Sequence, residues 1–279
     1  MKRYLLAVSL FLFCSSAISQ PTANSMKYAG SGEEHFTHII KLNNGNYVCG
    51  GYSTSDAMGN HGGSDFVIAC ISAQGEVIWK KMVGGSKEDG GNYSGNRECL
   101  SLTTDGGFFF AGATSSSDGD ITTSKGGWDI FVARFDINGK ITWENTYGGD
   151  KTEYLSGIAT TSDGGCIFSA TTYSGNNGDV PANHSVDTSD IWIVKLNARG
   201  TIEWSKTYGG SGTEMAISIK TTSDNSYIFT ADVTSEDGDL SGSVPEGEVR
   251  NMDMWIVKID NAGMINWNKR LGSDEHGAK

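Results

Sequence analysis

The sequence predicts an all-β fold made of four tandem copies of one four-stranded antiparallel unit, and three observations lead to this prediction. The first is a repeat, since the run "DIWIVKL" at Asp190 recurs in similar form at Asp65, Asp129 and Asp253. The second is the regular spacing of four tryptophans, at intervals of 64, 61 and 63 residues: Trp79, Trp143, Trp204 and Trp267. The third is that apolar residues are consecutive in several predicted strands, which indicates sheets buried on both faces.

The first hairpin of each unit consists of two short apolar runs around an Asp-Gly or Asn-Gly turn. Asn44-Gly45 and Asp105-Gly106 are examples. We expect this dipeptide to supply the positive φ angles that a tight hairpin needs.

The second hairpin of each unit carries the repeated tryptophan. In the third unit "DIWIVKL" and "TIEWSKTY" flank the turn, and the turn glycine recurs at the intervals of the tryptophans: Gly75, Gly139, Gly200 and Gly263. Regularly spaced aromatic residues usually fill cores, so the tryptophans are predicted to pack and not to bind sugars.

A sheet that is buried on both faces and recurs about every sixty residues needs a similar sheet on each side. Radial packing of four-stranded blades, a β-propeller, meets this requirement. We expect a propeller domain over residues 20–279, with blades at about 34–85, 95–149, 153–210 and 214–272. Tandem β-sandwiches are the alternative. Half a spare junction at each end leaves two forms open, a four-bladed ring or part of a larger propeller, and the stop at Lys279 inside a motif favours the second.

The two motifs "DIWIVKLNARGTIEWSKTYGGS" and "TSDGGCIFSATTYSGNNGD" resemble the repeat of secreted β-propeller proteins of Bacteroidota. The resemblance covers the chain from about Lys27 onwards. More distantly, the element resembles the tryptophan-docking repeats of quinoprotein-like propellers. That likeness implies that the four tryptophans fasten each blade to its neighbour, but it implies no quinone cofactor, because such dehydrogenases have about twice as many blades.

The N-terminus and the charge indicate where the protein acts. Lys2 and Arg3 precede an apolar run, and Ala17-Ile18-Ser19 fits a cleavage site, so residues 1–19 are predicted to be a secretory signal peptide. We therefore expect a secreted or cell-surface protein without a membrane span. Removing this segment leaves 19 basic and 33 acidic residues, a net charge of −14. This acidity argues against nucleic acid as a partner.

Cysteines and histidines give no strong signal for metal or redox chemistry. Four cysteines follow the signal peptide: Cys49, Cys70, Cys99 and Cys166. Free buried thiols are favoured, with a Cys49–Cys70 bridge as the alternative. His35 and His38 lie three residues apart on a predicted strand and should point to opposite faces. A histidine-based zinc site is therefore not expected.

Acidic loops follow the second strands of the units, and glycine-rich junctions follow the fourth strands. Because strands alternate in direction, these connections should emerge at one end and form an acidic face. The residues are Asp118, Asp120, Asp179, Asp237 and Asp239 from the loops, with Glu153 and Glu214 from the junctions. The five aspartates are candidate calcium ligands, because calcium prefers oxygen ligands. Turn formation alone would also explain them.

We expect a secreted, non-catalytic binding or scaffold protein whose ligand is a protein or a glycan held on the acidic face. The best candidates for a specific function are the two longest insertions, "SGNNGDVPANHSVDTSD" and "SEDGDLSGSVPEGEVRNMD". Two alternatives are a carbohydrate-active hydrolase with carboxylates in the central channel and a structural part of a larger surface protein. The sequence specifies no catalytic residue and no oligomeric state.

Overall fold

The structure is a computed structural model that describes residues 32–56, 59–90, 98–185, 187–242 and 252–272. The predicted signal peptide lies outside the described residues. Within these ranges no helix has the length and apolarity that a membrane span requires.

Sixteen strands make up the described architecture. They are β1 (Glu34–Lys41), β2 (Tyr47–Ser53), β3 (Asp65–Ile71), β4 (Val77–Val83), β5 (Leu100–Leu102), β6 (Phe108–Thr114), β7 (Asp129–Phe135), β8 (Ile141–Tyr147), β9 (Glu153–Thr160), β10 (Cys166–Thr172), β11 (Asp190–Leu196), β12 (Ile202–Tyr208), β13 (Glu214–Thr221), β14 (Tyr227–Val233), β15 (Asp253–Ile259) and β16 (Ile265–Leu271). Apart from these, a short 3₁₀ turn lies at Gly238–Leu240.

Each set of four consecutive strands forms one antiparallel sheet in which neighbours in sequence are neighbours in space. We call the sheets blade 1 (β1–β4), blade 2 (β5–β8), blade 3 (β9–β12) and blade 4 (β13–β16). The prediction of an all-β fold of four-stranded antiparallel blades is confirmed.

The second and third strands of blades 2 and 3 are buried on both faces because each of these blades packs between two neighbours. Every residue of β10 and β11 is buried. Aromatic rings connect one blade to the next, as in the pair Phe66–Phe110, whose ring centroids are 5.2 Å apart, and the pair Tyr208–Phe229, at 5.3 Å. The most extensive contacts between sheets join blade 1 to 2, 2 to 3 and 3 to 4, mainly through the first strands β1, β5, β9 and β13. Between the described strands of blades 4 and 1 no contact of similar extent occurs.

The turns of the first hairpins need one positive φ angle each, not two. Gly106 has a φ of 88°, and its amide donates to the Thr103 carbonyl at 3.1 Å. The preceding Asp105 accepts a hydrogen bond from the Thr103 hydroxyl and so closes the turn. In blade 4 the position belongs to Asn225, with a φ of 60°, because asparagine tolerates the left-handed region better than most residues.

A β-bulge interrupts the first strand of blades 1, 3 and 4, at Thr37, Ser156 and Ile217. The expected opposite orientation of His35 and His38 is therefore wrong. His35 is paired with Tyr52 and His38 with Gly50, two positions on the same face of β2. The extra residue cancels the alternation that the sequence spacing implies.

All four cysteines are free, as favoured. Cys49 is paired with Ala69, while Cys70 is paired with Val48. The two sulfur atoms therefore lie on opposite faces of the sheet, because adjacent residues of a strand alternate, and the alternative bridge is wrong.

Candidate functional site

The acidic loops lie against the junctions between blades. Between blades 1 and 2, the Asp118 carboxylate accepts a hydrogen bond from the Ser86 amide at 2.7 Å, and Asp120 accepts one from Gly84 at 3.4 Å. The hydrogen bond from the Ser86 amide lowers the pKa of the Asp118 carboxyl. The loop of one blade thus caps the junction that leads into it.

The same arrangement recurs at the next two junctions. Asp179 accepts from the Gly148 amide at 3.1 Å, and Asp239 from Gly209 at 3.1 Å. Asp237 accepts from the Ser211 amide at 2.7 Å, a bond that lowers its pKa. The five candidate calcium ligands are therefore divided among three junctions, and each carboxylate binds a backbone amide.

Glu153 and Glu214 do not belong to the exposed acidic face, and this part of the prediction is wrong. Both side chains are completely buried. Glu153 accepts hydrogen bonds from the Gly149 amide at 2.9 Å and from the Thr172 hydroxyl at 2.8 Å. Burial raises the pKa of its carboxyl, and the nearby Asp129 raises it further.

Each junction between blades contributes one buried acidic side chain. It lies next to a second buried carboxylate, at the start of the third strand of a blade. The pairs are Asp65 with Asp89, Asp129 with Glu153, and Asp190 with Glu214. The first junction glycine fits between them, since a Cβ atom at Gly148 would lie 1.8 Å from Asp129 Oδ1 and 2.7 Å from Glu153 Oε2. The two converging carboxylates therefore require the first glycine of the junction pair.

The strand-initial aspartates are held by blade-specific donors, two of which are histidines. His61 Nδ1 lies 2.6 Å from Asp65 Oδ2, and His184 Nδ1 lies 2.6 Å from Asp190 Oδ2. The hydrogen bond to the aspartate raises the pKa of each histidine. Lys125 and Arg270 take the corresponding role in blades 2 and 4, Lys125 through its backbone amide and Arg270 through its guanidinium. Sequence reasoning missed these dyads because the histidine lies four or six residues before its aspartate, in loops of different length.

The two longest insertions meet at the junction of blades 3 and 4. His184 belongs to the first insertion, and its Nε2 atom lies 3.6 Å from Asp239 Oδ2 in the second. Glu214 and Asp237 also interact electrostatically with this histidine. We call His184, Asp190, Glu214, Asp237 and Asp239 the rim site. Residues 243–251 of the second insertion lie outside the described residues.

The rim site is a partly exposed group with one histidine among four acidic side chains. The side chains of His184 and Asp239 are about one-third exposed, at 30% and 31%, whereas Asp190 is buried. Such a surface favours ligands with ammonium, guanidinium or hydroxyl donors. In the described part of the chain, no three histidine, cysteine, aspartate or glutamate side chains are grouped in a way that could hold a metal ion. Calcium binding stays a prediction.

The repeated tryptophans of blades 1 to 3 lie over the turn glycine of the following blade. A Cβ atom at Gly139 would be 2.6 Å from the Trp79 ring, and one at Gly200 would be 2.8 Å from Trp143. The indole nitrogens of Trp143 and Trp204 donate to the Ala198 and Asn261 carbonyls, each at 2.9 Å. Gly263 lies under Trp204 in the same way. At the two ends of the array, Trp267 is 42% exposed and nothing lies within 4 Å of a Cβ atom at Gly75.

A second polar group lies where the first strands converge. The Glu98 carboxylate is 2.6 Å from Lys220 Nζ and accepts a hydrogen bond from the Ser218 hydroxyl at 3.2 Å. His38 nearby accepts from the Leu100 amide at 3.1 Å, and burial lowers its pKa. We call Glu98, Lys220, Ser218 and His38 the axial cluster. The Lys220 ammonium group forms an ion pair with its carboxylate.

The described residues have the fold of a β-propeller, with four blades of four antiparallel strands. No family model matches the chain, and no curated protein is similar to it in sequence. Among solved structures, a protein of unknown function from Dyadobacter fermentans has 16% identity over 85% of this chain and 69% of its own, with a TM-score of 0.49. The α-L-arabinofuranosidase Arb93A of Fusarium graminearum has 12% identity over 85% and 66%, with a TM-score of 0.49. The hemagglutinin-neuraminidase ectodomain of parainfluenza virus 5 has 9% identity over 84% and 54%, with a TM-score of 0.43. The chain therefore spans only 54% to 69% of the length of these structures.

Proposed function

We propose that this protein is a secreted, non-catalytic binding or scaffold module whose ligand, a protein or a glycan, contacts the rim site. The observation that carries the proposal is the meeting of the two longest insertions at the contact between His184 and Asp239. Loops on a rigid β scaffold are a common place for recognition, and these two depart most from the repeat. The negative charge of the protein favours a ligand with cationic or hydroxyl donors.

The hydrolase alternative receives less support from the axial cluster. Glycoside hydrolases that follow the usual mechanisms use two carboxyl groups on either side of the scissile bond. Among the residues that the structure describes, the axial cluster has a single carboxylate, Glu98, which is paired with Lys220. The third alternative, a structural part of a larger surface protein, is compatible with the same fold and predicts no ligand at the rim.

The test is a binding screen with a glycan array and with immobilised polylysine as a cationic-protein probe. We expect binding to one probe by the wild type and at least about a tenfold loss in the double variant His184→Asn with Asp239→Asn, since the loss of one charged contact costs about 1.4 kcal/mol or more. His61→Asn is the matched control, because it removes the same type of dyad from blade 1. Binding that weakens with salt would indicate a cationic protein, and salt-insensitive binding a glycan. Equal binding by the wild type and the double variant would contradict the rim site.

A further inference from the structure

The three junctions between blades use one repeated apolar interface with two different halves. The leading half belongs to the third and fourth strands of a blade, and in blade 3 it includes Ile191, Trp204 and Tyr208. The receiving half belongs to the following blade, where Trp204 packs on Tyr227 and Gly263 and Tyr208 packs on Phe229. The Tyr208 hydroxyl also donates to the Gly263 carbonyl at 2.7 Å.

Blade 4 exposes its own leading half. The residues that correspond to Ile191, Trp204 and Tyr208 are Met254, Trp267 and Leu271, which are 58%, 42% and 49% exposed. They lie on one face, since Met254 and Leu271 are directly paired and Trp267 is paired with Lys258, four residues from Met254. Three large apolar side chains are thus exposed on one face of blade 4, at positions that the preceding blades bury or half-bury.

Blade 1 exposes the matching receiving half. Ile39 is 58% exposed, whereas the corresponding Leu100, Ile158 and Ile219 are buried. Tyr47 and Cys49 are half-buried at the positions of the buried Tyr227 and Phe229. Nothing lies within 4 Å of a Cβ atom at Gly75, although Gly139, Gly200 and Gly263 all have an indole ring there.

We propose that two copies of this chain associate head to tail, with the leading face of blade 4 in one copy packed on the receiving face of blade 1 in the other. A second copy fits these two exposed faces because its docking would repeat an interface that the molecule forms three times between its own blades. Trp267 would lie over Gly75, as Trp204 lies over Gly263. Such a heterologous contact closes a ring if the rotation permits and otherwise forms an open chain.

Sedimentation velocity on the purified protein tests the association. We expect a mass that is a multiple of the single chain, and Ile39→Glu or Met254→Glu should each weaken the association at least about tenfold, because a carboxylate would be buried without a partner. Both positions are exposed within one chain, so neither change should unfold it. Ile78→Glu is the matched control. Ile78 is 51% exposed, and its counterparts in the other blades, Thr142, Glu203 and Asn266, are exposed too, so this position is not buried at a junction.

Mixing the two variants distinguishes head-to-tail contact from a symmetric one. The Ile39→Glu chain keeps its leading face and the Met254→Glu chain keeps its receiving face, so an equimolar mixture should associate again through one intact junction. A monomer at about 0.1 mM, well above the Kd of a specific complex, would overturn the proposal. An oligomer that both variants leave intact, or that the mixture fails to restore, would overturn it as well.

Discussion

At the scale of residues, the buried aspartate that begins each third strand shows how one structural requirement is met by different donors. Asp65 and Asp190 use histidine, Asp129 uses the amides of Lys125 and Gly126, and Asp253 uses the Arg270 guanidinium. A buried carboxylate is costly unless it is hydrogen-bonded, so the site tolerates a change of donor but not its loss.

His184 should make stability depend on pH. Its pKa is raised in the folded state, so its stabilisation is complete below the unfolded-state pKa of about 6.5 and disappears as the pH rises through the folded-state value. The facing groups are Asp190, Asp239, Glu214 and Asp237. We expect His184→Asn to lower the melting temperature more at about pH 5.5 than at about pH 9. His35→Asn serves as the control because His35 is exposed. A loss of melting temperature in His184→Asn that grows with pH would contradict this interpretation.

Asp118 and Asp120 allow the structural and calcium roles of the acidic loops to be separated. Both carboxylates accept amide hydrogen bonds, and an asparagine oxygen would accept only the weaker, neutral form of these bonds. Asp118→Asn with Asp120→Asn should therefore lower the melting temperature even in EDTA. If the loops also bind calcium, millimolar Ca²⁺ should raise the melting temperature of the wild type and not that of the variant. Thermal melts in both buffers measure the two effects, and the absence of a calcium increment in the wild type would refute the calcium proposal.

At the scale of elements, the second hairpin does two things, since its turn glycine closes the hairpin and receives the tryptophan of the preceding blade. Gly200 and Gly75 separate these effects, because their φ angles are 79° and 90° but only Gly200 lies beneath an indole ring. We expect Gly75→Ala to cost about 1 kcal/mol from backbone strain alone. Gly200→Ala should cost about 1–3 kcal/mol more, because the methyl group would overlap the Trp143 ring.

Urea unfolding at a protein concentration low enough to keep the chain monomeric measures both glycine variants. Equal losses of unfolding free energy would mean that the tryptophan contact contributes nothing to stability. A larger loss for Gly75→Ala would mean that the assignment of the two faces is wrong.

The hairpins could be predicted because they depend on local turn chemistry. The number of sheets could be predicted because the tryptophans follow a strict repeat. The bulge at Thr37 could not, since no residue type specifies it, and it reversed the expected orientation of His38. The burial of Glu153 was missed for a similar reason. Its environment is made by Gly149 and Thr172, which only the packing of junction against strand brings to it.

At the scale of the whole molecule, the blades form an array in which each sheet is covered by its neighbours. Blades 2 and 3 have two neighbours and are buried on both faces, while blades 1 and 4 each have one exposed apolar face. The acidic loops add polar contacts across each junction through the amides of Gly84, Gly148 and Gly209. The same repeated unit therefore accounts for the core, the rim and the two ends.

A crystal structure of the protein tests most directly whether four successive sheets pack as blades. The account predicts the Trp143 indole over Gly200, with its nitrogen donating to the Ala198 carbonyl, and the Trp204 indole over Gly263. Electron density in which the sheets pair as separate β-sandwiches, with those indoles in solvent, would contradict it.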